Sequence, residues 1–285
     1  MIRHRTLALR GINLFYREAG SPHNPALLLL HGFPSSSFMF RNLMRDLADR
    51  YYLIAPDYPG FGHSDAPDPG RFAYTFENLA RLIGELVDHL PIDKLSLYVF
   101  DYGAPVGFRY LVQEPQRLQC LIVQNGNIYA EGVGPILRET KANLDAGTPE
   151  ALRKVMDQFE LPYTMFEYLH GATDASLIAP DGYTLDQARM DRPGNKAIQF
   201  QLKSDYRTNF PLYTQWQAFL RRVQPPTLVV WGENDPIFTK AGALAYQRDL
   251  TDVESHFYAT GHFALEEYGE TIAATIRDFL ARKLR

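Results

Sequence analysis

The stretch Leu95-Ser96-Leu97-Tyr98-Val99-Phe100-Asp101-Tyr102-Gly103-Ala104-Pro105-Val106-Gly107 constrains this chain more than any other. It begins as an apolar strand, reaches an acid at Asp101 and continues into a helical pattern marked by Val106, Tyr110 and Leu111. A strand that runs through a sharp turn into a helix lifts the turn residue above the sheet edge, as Gly-x-Ser-x-Gly elbows do for serine. Here the lifted residue is an aspartate. On this stretch alone two readings are open: a carboxylate that attacks a substrate, or an acid that caps the helix after it, a position Asp favours.

The rest of the chain supplies the context. Thr6 to Leu9 and Asn13 to Glu18 read as two strands joined at Arg10-Gly11, a hairpin signal. Ala26 to Leu30 is an unbroken aliphatic run of the kind buried on both faces of a parallel sheet. It ends in His31-Gly32-Phe33-Pro34, and a helix follows with Phe40, Leu43, Met44 and Leu47 on one face. Tyr51 to Ala55 is the next strand, and Phe76 to Leu90 is an amphipathic helix. After the Asp101 elbow, Leu118 to Val123 reads as another buried strand, ending in Gln124-Asn125-Gly126-Asn127. Strand character then disappears until Thr227 to Trp231, which ends in Gly232-Glu233-Asn234-Asp235-Pro236. A last strand, Ser255 to Tyr258, leads into Thr260-Gly261-His262-Phe263, and a helix from Ala264 to Lys283 follows.

This order predicts an α/β fold: a mostly parallel eight-stranded sheet flanked by helices and interrupted by a helical insertion too long to be a loop. Residues 1–127 and 224–285 are expected to form the core domain, and 128–223 a cap (lid) subdomain. Right-handed crossovers bring the C-terminal ends of the parallel strands to one edge. His31, Asp101, Asn125, Asp235 and the His262 loop all follow such ends. The insertion leaves from the same edge and is expected to roof it.

Composition excludes several classes. The net charge of −4 and the absence of a basic stripe argue against nucleic acid as a partner. One cysteine, Cys120, permits no intramolecular disulfide, and its apolar surroundings predict a buried thiol. No HExxH pattern or Cys/His cluster is present, so neither a metal nor another cofactor is expected. Arg10 and Asn13 interrupt any signal-type apolar region, and Ala26 to Leu30 is too short to cross a bilayer. A cytoplasmic protein with no membrane partner is expected. Aromatic residues, many between Tyr129 and Phe219, suggest an apolar pocket for a small apolar molecule, in a chain acting alone or as a homodimer.

Chain order now bears on Asp101. Asp235 alone is readable as a turn aspartate, and His262 alone as a loop histidine. Together the three follow successive strands in the order nucleophile, acid, histidine. An aspartate has an ordinary pKa of about 3.9 and needs no base to become nucleophilic. It can displace a leaving group from an electrophilic carbon and retain the carbon as an ester. His262, oriented by Asp235, would then activate water to hydrolyse that ester. The N–H groups of Phe33 and Tyr102 would form the oxyanion hole. His31 is expected to support the loop that carries Phe33, and His63 to be structural.

These residues resemble the Asp-nucleophile branch of the α/β-hydrolase superfamily, which holds epoxide hydrolases, haloalkane dehalogenases and haloacetate dehalogenases. The resemblance covers nearly the whole chain outside the insertion. His31-Gly32-Phe33-Pro34 is similar to the oxyanion loop of epoxide hydrolases. Asp57-Tyr58-Pro59-Gly60-Phe61-Gly62-His63-Ser64 is similar to the superfamily's Asp-x-x-Gly-x-Gly-x-Ser segment, and Thr260-Gly261-His262-Phe263 to its histidine loop. The resemblance implies lid tyrosines that donate protons to an epoxide oxygen. Phe210-Pro211-Leu212-Tyr213-Thr214 partly matches the motif of one, placing Tyr213 in that role, and position offers Tyr168 ahead of Tyr163 for the other. Two departures stand out. Tyr102 occupies a place where many members carry a halide-holding Trp, and Val99 one where glycine is common. Asp205-Tyr206-Arg207 is similar to a lid segment of haloacetate dehalogenases, but the Arg that follows the nucleophile in that family is absent.

The expected activity is therefore epoxide hydrolysis to vicinal diols. The alternative is a haloalkane or haloacid dehalogenase, with Trp216 of the lid facing the pocket. From another class, the alternative is a non-hydrolytic ligand-binding protein on the same fold. Ester hydrolysis ranks below these, since aspartate attack on an ester gives an anhydride.

Overall fold

A computed structural model of the chain describes residues 1–284. Its eight strands form one sheet in the order β1-β2-β4-β3-β5-β6-β7-β8. The edge hairpin pairs β1 (Ile2–Leu9) with β2 (Ile12–Ala19), and β2 joins β4 (Tyr52–Pro56) antiparallel. All other pairings are parallel, through β3 (Ala26–Leu30), β5 (Leu95–Phe100), β6 (Leu118–Gln124), β7 (Thr227–Gly232) and β8 (Val253–Tyr258).

The central strands explain their own placement. Every residue of β3, β4, β5 and β7 is buried, which is why these segments read as continuous apolar runs rather than alternating ones. Leu28 and Leu30 enter the core layer on one face of the sheet, and Leu27 and Leu29 the layer on the other. Truncating Leu29 to alanine in such a site costs about 2–5 kcal/mol, because the cavity left behind adds to the lost transfer energy.

The first layer contains α2 (Phe76–His89) and α3 (Gly103–Gln113); the second contains α1 (Arg41–Leu47) and α11 (Ala264–Lys283). The α2 start is fixed by Thr75, whose side chain accepts the Asn78 N–H at 3.2 Å. Between β6 and β7 lie α4 (Pro135–Ala146), α5 (Pro149–Asp157), α6 (Leu161–Leu169), α7 (Pro180–Met190), α8 (Asn195–Asp205) and α9 (Tyr213–Val223). The helix α10 (Lys240–Asp249) separates β7 from β8.

Side chains tie the inserted helices to the sheet layers. Asp205 accepts the Phe76 N–H at 2.8 Å and so completes the cap of α2. Arg109 of α3 donates to Asn209 at 2.6 Å and Thr208 at 3.0 Å, and Gln199 donates to the Gly60 carbonyl at 3.0 Å. Cys120 is a buried free thiol. Among the described residues, no helix is long and apolar enough to cross a membrane.

Candidate active site

Asp101 occupies the turn between β5 and α3 with φ +48°, a left-handed conformation that an L residue adopts only under strain. The turn also accommodates Val99. A Cβ at Gly107 would lie 2.9 Å from the Val99 Cγ1 and 2.8 Å from the Leu97 Cδ2, so glycine on α3 leaves the room that a β-branched strand residue needs. Asp101 is buried, and its Oδ1 accepts the Phe33 N–H at 2.7 Å. That contact requires Gly32, since a Cβ there would collide with the Asp101 Cβ and Oδ1. Burial raises the Asp101 carboxyl above its ordinary range, while His262, the N–H groups of Phe33 and Tyr102, and Lys203 oppose the rise.

His262 follows β8 and is fully enclosed. Its Nδ1 lies 2.7 Å from Asp235 Oδ2, and its Nε2 lies 3.8 Å from Asp101 Oδ2 with no hydrogen-bond partner. Asp235 is in turn held at both oxygens. Oδ1 accepts the Ile237 and Phe238 N–H groups at 2.7 and 3.2 Å, and Oδ2 accepts Asn125 Nδ2 at 2.8 Å. Asn125, at φ +41°, also accepts the Gly232 N–H at 3.0 Å, which fixes its amide orientation. Burial alone would lower the His262 pKa, but the charge and hydrogen bond of Asp235, then Asp101 and Glu167, bring it up to about 9. The His262 Nε2 faces the Asp101 carboxylate.

His31 is equally enclosed yet shifts the other way, down to about 4, because burial outweighs Asp57 and the Gly32 carbonyl. A neutral ring fits its contacts: Nδ1–H donates to the Gly32 carbonyl at 3.0 Å, and Nε2 accepts the Tyr58 N–H at 3.2 Å. His31 thereby connects the Phe33 loop to the segment after β4. That segment is itself cross-braced. Asp57 accepts the Ser37 and His63 N–H groups at 2.7 and 2.8 Å, and Ser64 Oγ accepts the Phe15 N–H at 2.8 Å.

A cavity opens over Asp101. Phe33, Tyr102, Ile237 and Phe238 line its core side. The inserted helices supply Ile136, Leu137 and Leu144 from α4, Tyr163 and Glu167 from α6, and Lys203 from α8, with Tyr206 just beyond. Glu167 is buried and its Oε2 has no hydrogen-bond partner. Burial pushes its carboxyl up to about 8, with Asp101 and Asp235 adding to the rise and Lys203 and His262 opposing it. Burial lowers the Lys203 amine to about 8 against the pull of Glu167 and Asp101. The phenols of Tyr163 and Tyr206 are pushed well above their usual range, chiefly by burial.

Three expectations for the insertion are corrected. Tyr168 does not reach the cavity: its hydroxyl donates to Asp186 Oδ2 at 2.6 Å and its ring stacks on Phe263 at 3.8 Å. Tyr213 lies behind Tyr206, on the groove side of α9, and is not among the cavity-lining residues. Trp216 is buried against Phe108 at 5.8 Å with Arg109 over its ring, so it presents nothing to the cavity either. The residues in their place are Tyr163, Glu167, Lys203 and Tyr206. The available signal was weak: Glu167 is the one charge in the otherwise apolar helix Leu161–Leu169, four residues from Tyr163 and therefore on the same face.

The chain is similar in sequence and fold to known proteins. The family described as alpha/beta hydrolase fold matches residues 25–268. An uncharacterized hydrolase of Saccharomyces cerevisiae, YNR064C, is 41% identical over 98% of this chain and 97% of its own length. The solved haloalkane dehalogenase DatA of Agrobacterium tumefaciens superposes with a TM-score of 0.81 at 24% identity, covering 99% of this chain and 97% of its own. The epoxide hydrolase CorEH gives 0.78 at 23% identity and covers 100% of both chains.

Proposed function

This chain belongs to the α/β-hydrolase fold family, and from that premise we propose that it is a hydrolase in which Asp101 attacks an epoxide carbon. Oδ1 is engaged by the Phe33 N–H, which leaves Oδ2, the oxygen beside His262, as the attacking atom. Attack breaks a ring C–O bond and gives a β-hydroxyalkyl ester on Asp101. Esterification removes the Asp101 charge, one of the causes that hold the His262 proton. Its loss lowers the proton affinity of the ring and favours the neutral form, whose Nε2 lone pair can accept a proton from water. His262 takes a proton from water, hydroxide adds to the ester carbon, and negative charge develops on Oδ1 between the N–H groups of Phe33 and Tyr102. Collapse releases the diol, whose oxygen takes the proton back from His262.

One observation carries the choice of epoxide. The two tryptophans are engaged elsewhere, Trp216 against Phe108 and Trp231 through Nε1 to the Phe238 carbonyl at 3.1 Å. Neither indole is among the residues that line the cavity, whereas the phenols of Tyr163 and Tyr206 line it with Asp101. Phenols suit an oxygen that must be hydrogen-bonded as it leaves. The test is to give the purified protein styrene oxide and 1-bromobutane in parallel. Diol without bromide release is the expected result; bromide release without diol overturns the epoxide reading.

A further inference from the structure

We propose that Glu167 is the acid that protonates the departing epoxide oxygen, with the Lys203 ammonium stabilising the carboxylate that Glu167 becomes. The assignment rests on the Asp101 reading above and adds the proton source that reading lacks.

The insertion buries two carboxyl groups that the ester chemistry does not use, and they are treated differently. Asp186 is satisfied by the Tyr168 hydroxyl at 2.6 Å, away from the cavity, and so has a structural partner. Glu167 is 4% exposed, lines the same cavity as Asp101, and its Oε2 is unpartnered. A buried acceptor or acid without a partner destabilises the fold. The Tyr163 hydroxyl and the Lys203 amine act on Glu167 from the cavity walls, yet Oε2 keeps no partner, and a substrate oxygen would supply one.

Lys203 lines the same cavity from α8. Its Nζ donates to Gln158 Oε1 at 2.9 Å and lies 4.0 Å from the centre of the Phe33 ring. One hydrogen bond leaves two of its three N–H donors free for a new anion. The phenols are poorer proton sources. Burial drives Tyr163 and Tyr206 well above the usual phenol range, while Glu167 sits at about 8, so it is protonated at neutral pH and releases its proton far more readily. Tyr163 and Tyr206 are then hydrogen-bond donors that hold the oxygen, and Glu167 supplies the proton.

The protons balance over a turnover. Asp101 Oδ2 forms the ester bond as the ring C–O bond breaks, and the ring oxygen takes the Glu167 proton. Water then adds to the ester carbon, one of its protons passing through His262 to the diol oxygen released with Oδ2. Asp101 is left as a carboxylic acid, and its proton returns to the Glu167 carboxylate.

The experiment follows ester formation alone, in a His262→Gln background where the ester accumulates and the His262 titration is absent. The protein is mixed with styrene oxide, quenched with acid at intervals and weighed intact, from pH 6 to about pH 10. The titratable groups facing Glu167 are then Lys203, Asp101, Asp235, Tyr163 and Tyr102. With Glu167 present, the rate is expected to fall as pH rises through about 8. Adding Glu167→Gln is expected to slow ester formation by about 100-fold or more and to abolish that fall. Adding Lys203→Met is expected to move the fall to higher pH, because the carboxylate loses its nearby cation. That variant keeps Glu167 and so serves if the glutamine variant does not fold. A Glu167→Gln protein that forms ester within threefold of the parent rate with the same pH dependence overturns the assignment while leaving Asp101 in place. A fall that Lys203→Met leaves unmoved does the same. No ester in the His262→Gln parent, under conditions where the wild type turns over, overturns the Asp101 reading and this assignment with it.

Discussion

On the core side of the cavity, the two carboxylates and the Phe33 loop are anchored by backbone groups. Asp101 takes the Phe33 N–H, Asp235 takes those of Ile237 and Phe238, and His31 pins the loop that presents Phe33. On the inserted side, the Glu167 Oε2 and the Tyr206 hydroxyl line the cavity and are buried without a hydrogen bond of good geometry. Backbone donors arrive with the fold and do not depend on which side chains surround them. The unpartnered side chains gain a partner only when something enters. Under the proposed chemistry the two sides divide the labour: the sheet edge carries the ester step, and the inserted helices meet the substrate.

The largest effect is expected at Asp101. Asp101→Asn keeps the shape and is expected to lower kcat/KM on styrene oxide by at least about 10⁴-fold with thermal stability little changed. Activity within tenfold of wild type would remove Asp101 from the chemistry. Asp235→Asn should cost about 10⁴-fold in turnover, because the amide can no longer hold the His262 ring in its working tautomer. Its ester should form at close to the normal rate and persist, which rapid quenching can show.

A pair of tyrosines sharpens the comparison further. Tyr206→Phe removes a hydroxyl from the cavity and is expected to reduce kcat/KM by about 10-fold or more while leaving stability within about 0.5 kcal/mol. Tyr168→Phe should do the reverse. Activity stays near wild type, but Asp186 loses its donor, at about 1–3 kcal/mol of unfolding free energy. Urea unfolding and steady-state kinetics on both variants check the pair. A Tyr168→Phe protein with its activity abolished and its stability intact would place Tyr168 in the reaction after all.

The same asymmetry explains what could be read from the residues. Ala26 to Leu30 and Ala264 to Lys283 are found at the bounds their patterns predict, since unbroken apolar runs and long amphipathic periods survive any context. The meeting of Asp101, Asp235 and His262 at one edge was legible because each follows a strand, and parallel topology sends all such ends together. The inserted helices offered no such rule. Tyr163, Glu167, Lys203 and Tyr206 meet only because α6 and α8 happen to pack over the elbow, and no local motif encodes how two helices cross. Motif similarity favours Tyr213 and position favours Tyr168, yet Tyr168 is engaged by Asp186 and Tyr213 stands behind Tyr206.

The smallest expected effect lies in the pH dependence of stability. Glu167 and Asp186 are both raised to about 8 from an ordinary 4.5 and 3.8, chiefly by burial. Between those limits the folded state binds more protons than the unfolded chain, so their contribution is fully present below about pH 4 and is lost as pH rises through about 8. His262 acts in the same sense between its ordinary 6.5 and about 9. The Tm should therefore fall from pH 5 to pH 8 beyond what net charge explains, and Asp186→Asn should flatten part of that fall. A Tm that rises across this interval, or an unaltered slope in the variant, would contradict the buried carboxyl account.

The central claim is the ester. His262→Gln should still permit attack on styrene oxide but not hydrolysis. After incubation, intact mass spectrometry is expected to show one added substrate mass per chain, and peptide mapping to place it on Asp101. If the wild type converts the epoxide while His262→Gln stays unmodified, or carries the mass at another residue, Asp101 is not the nucleophile.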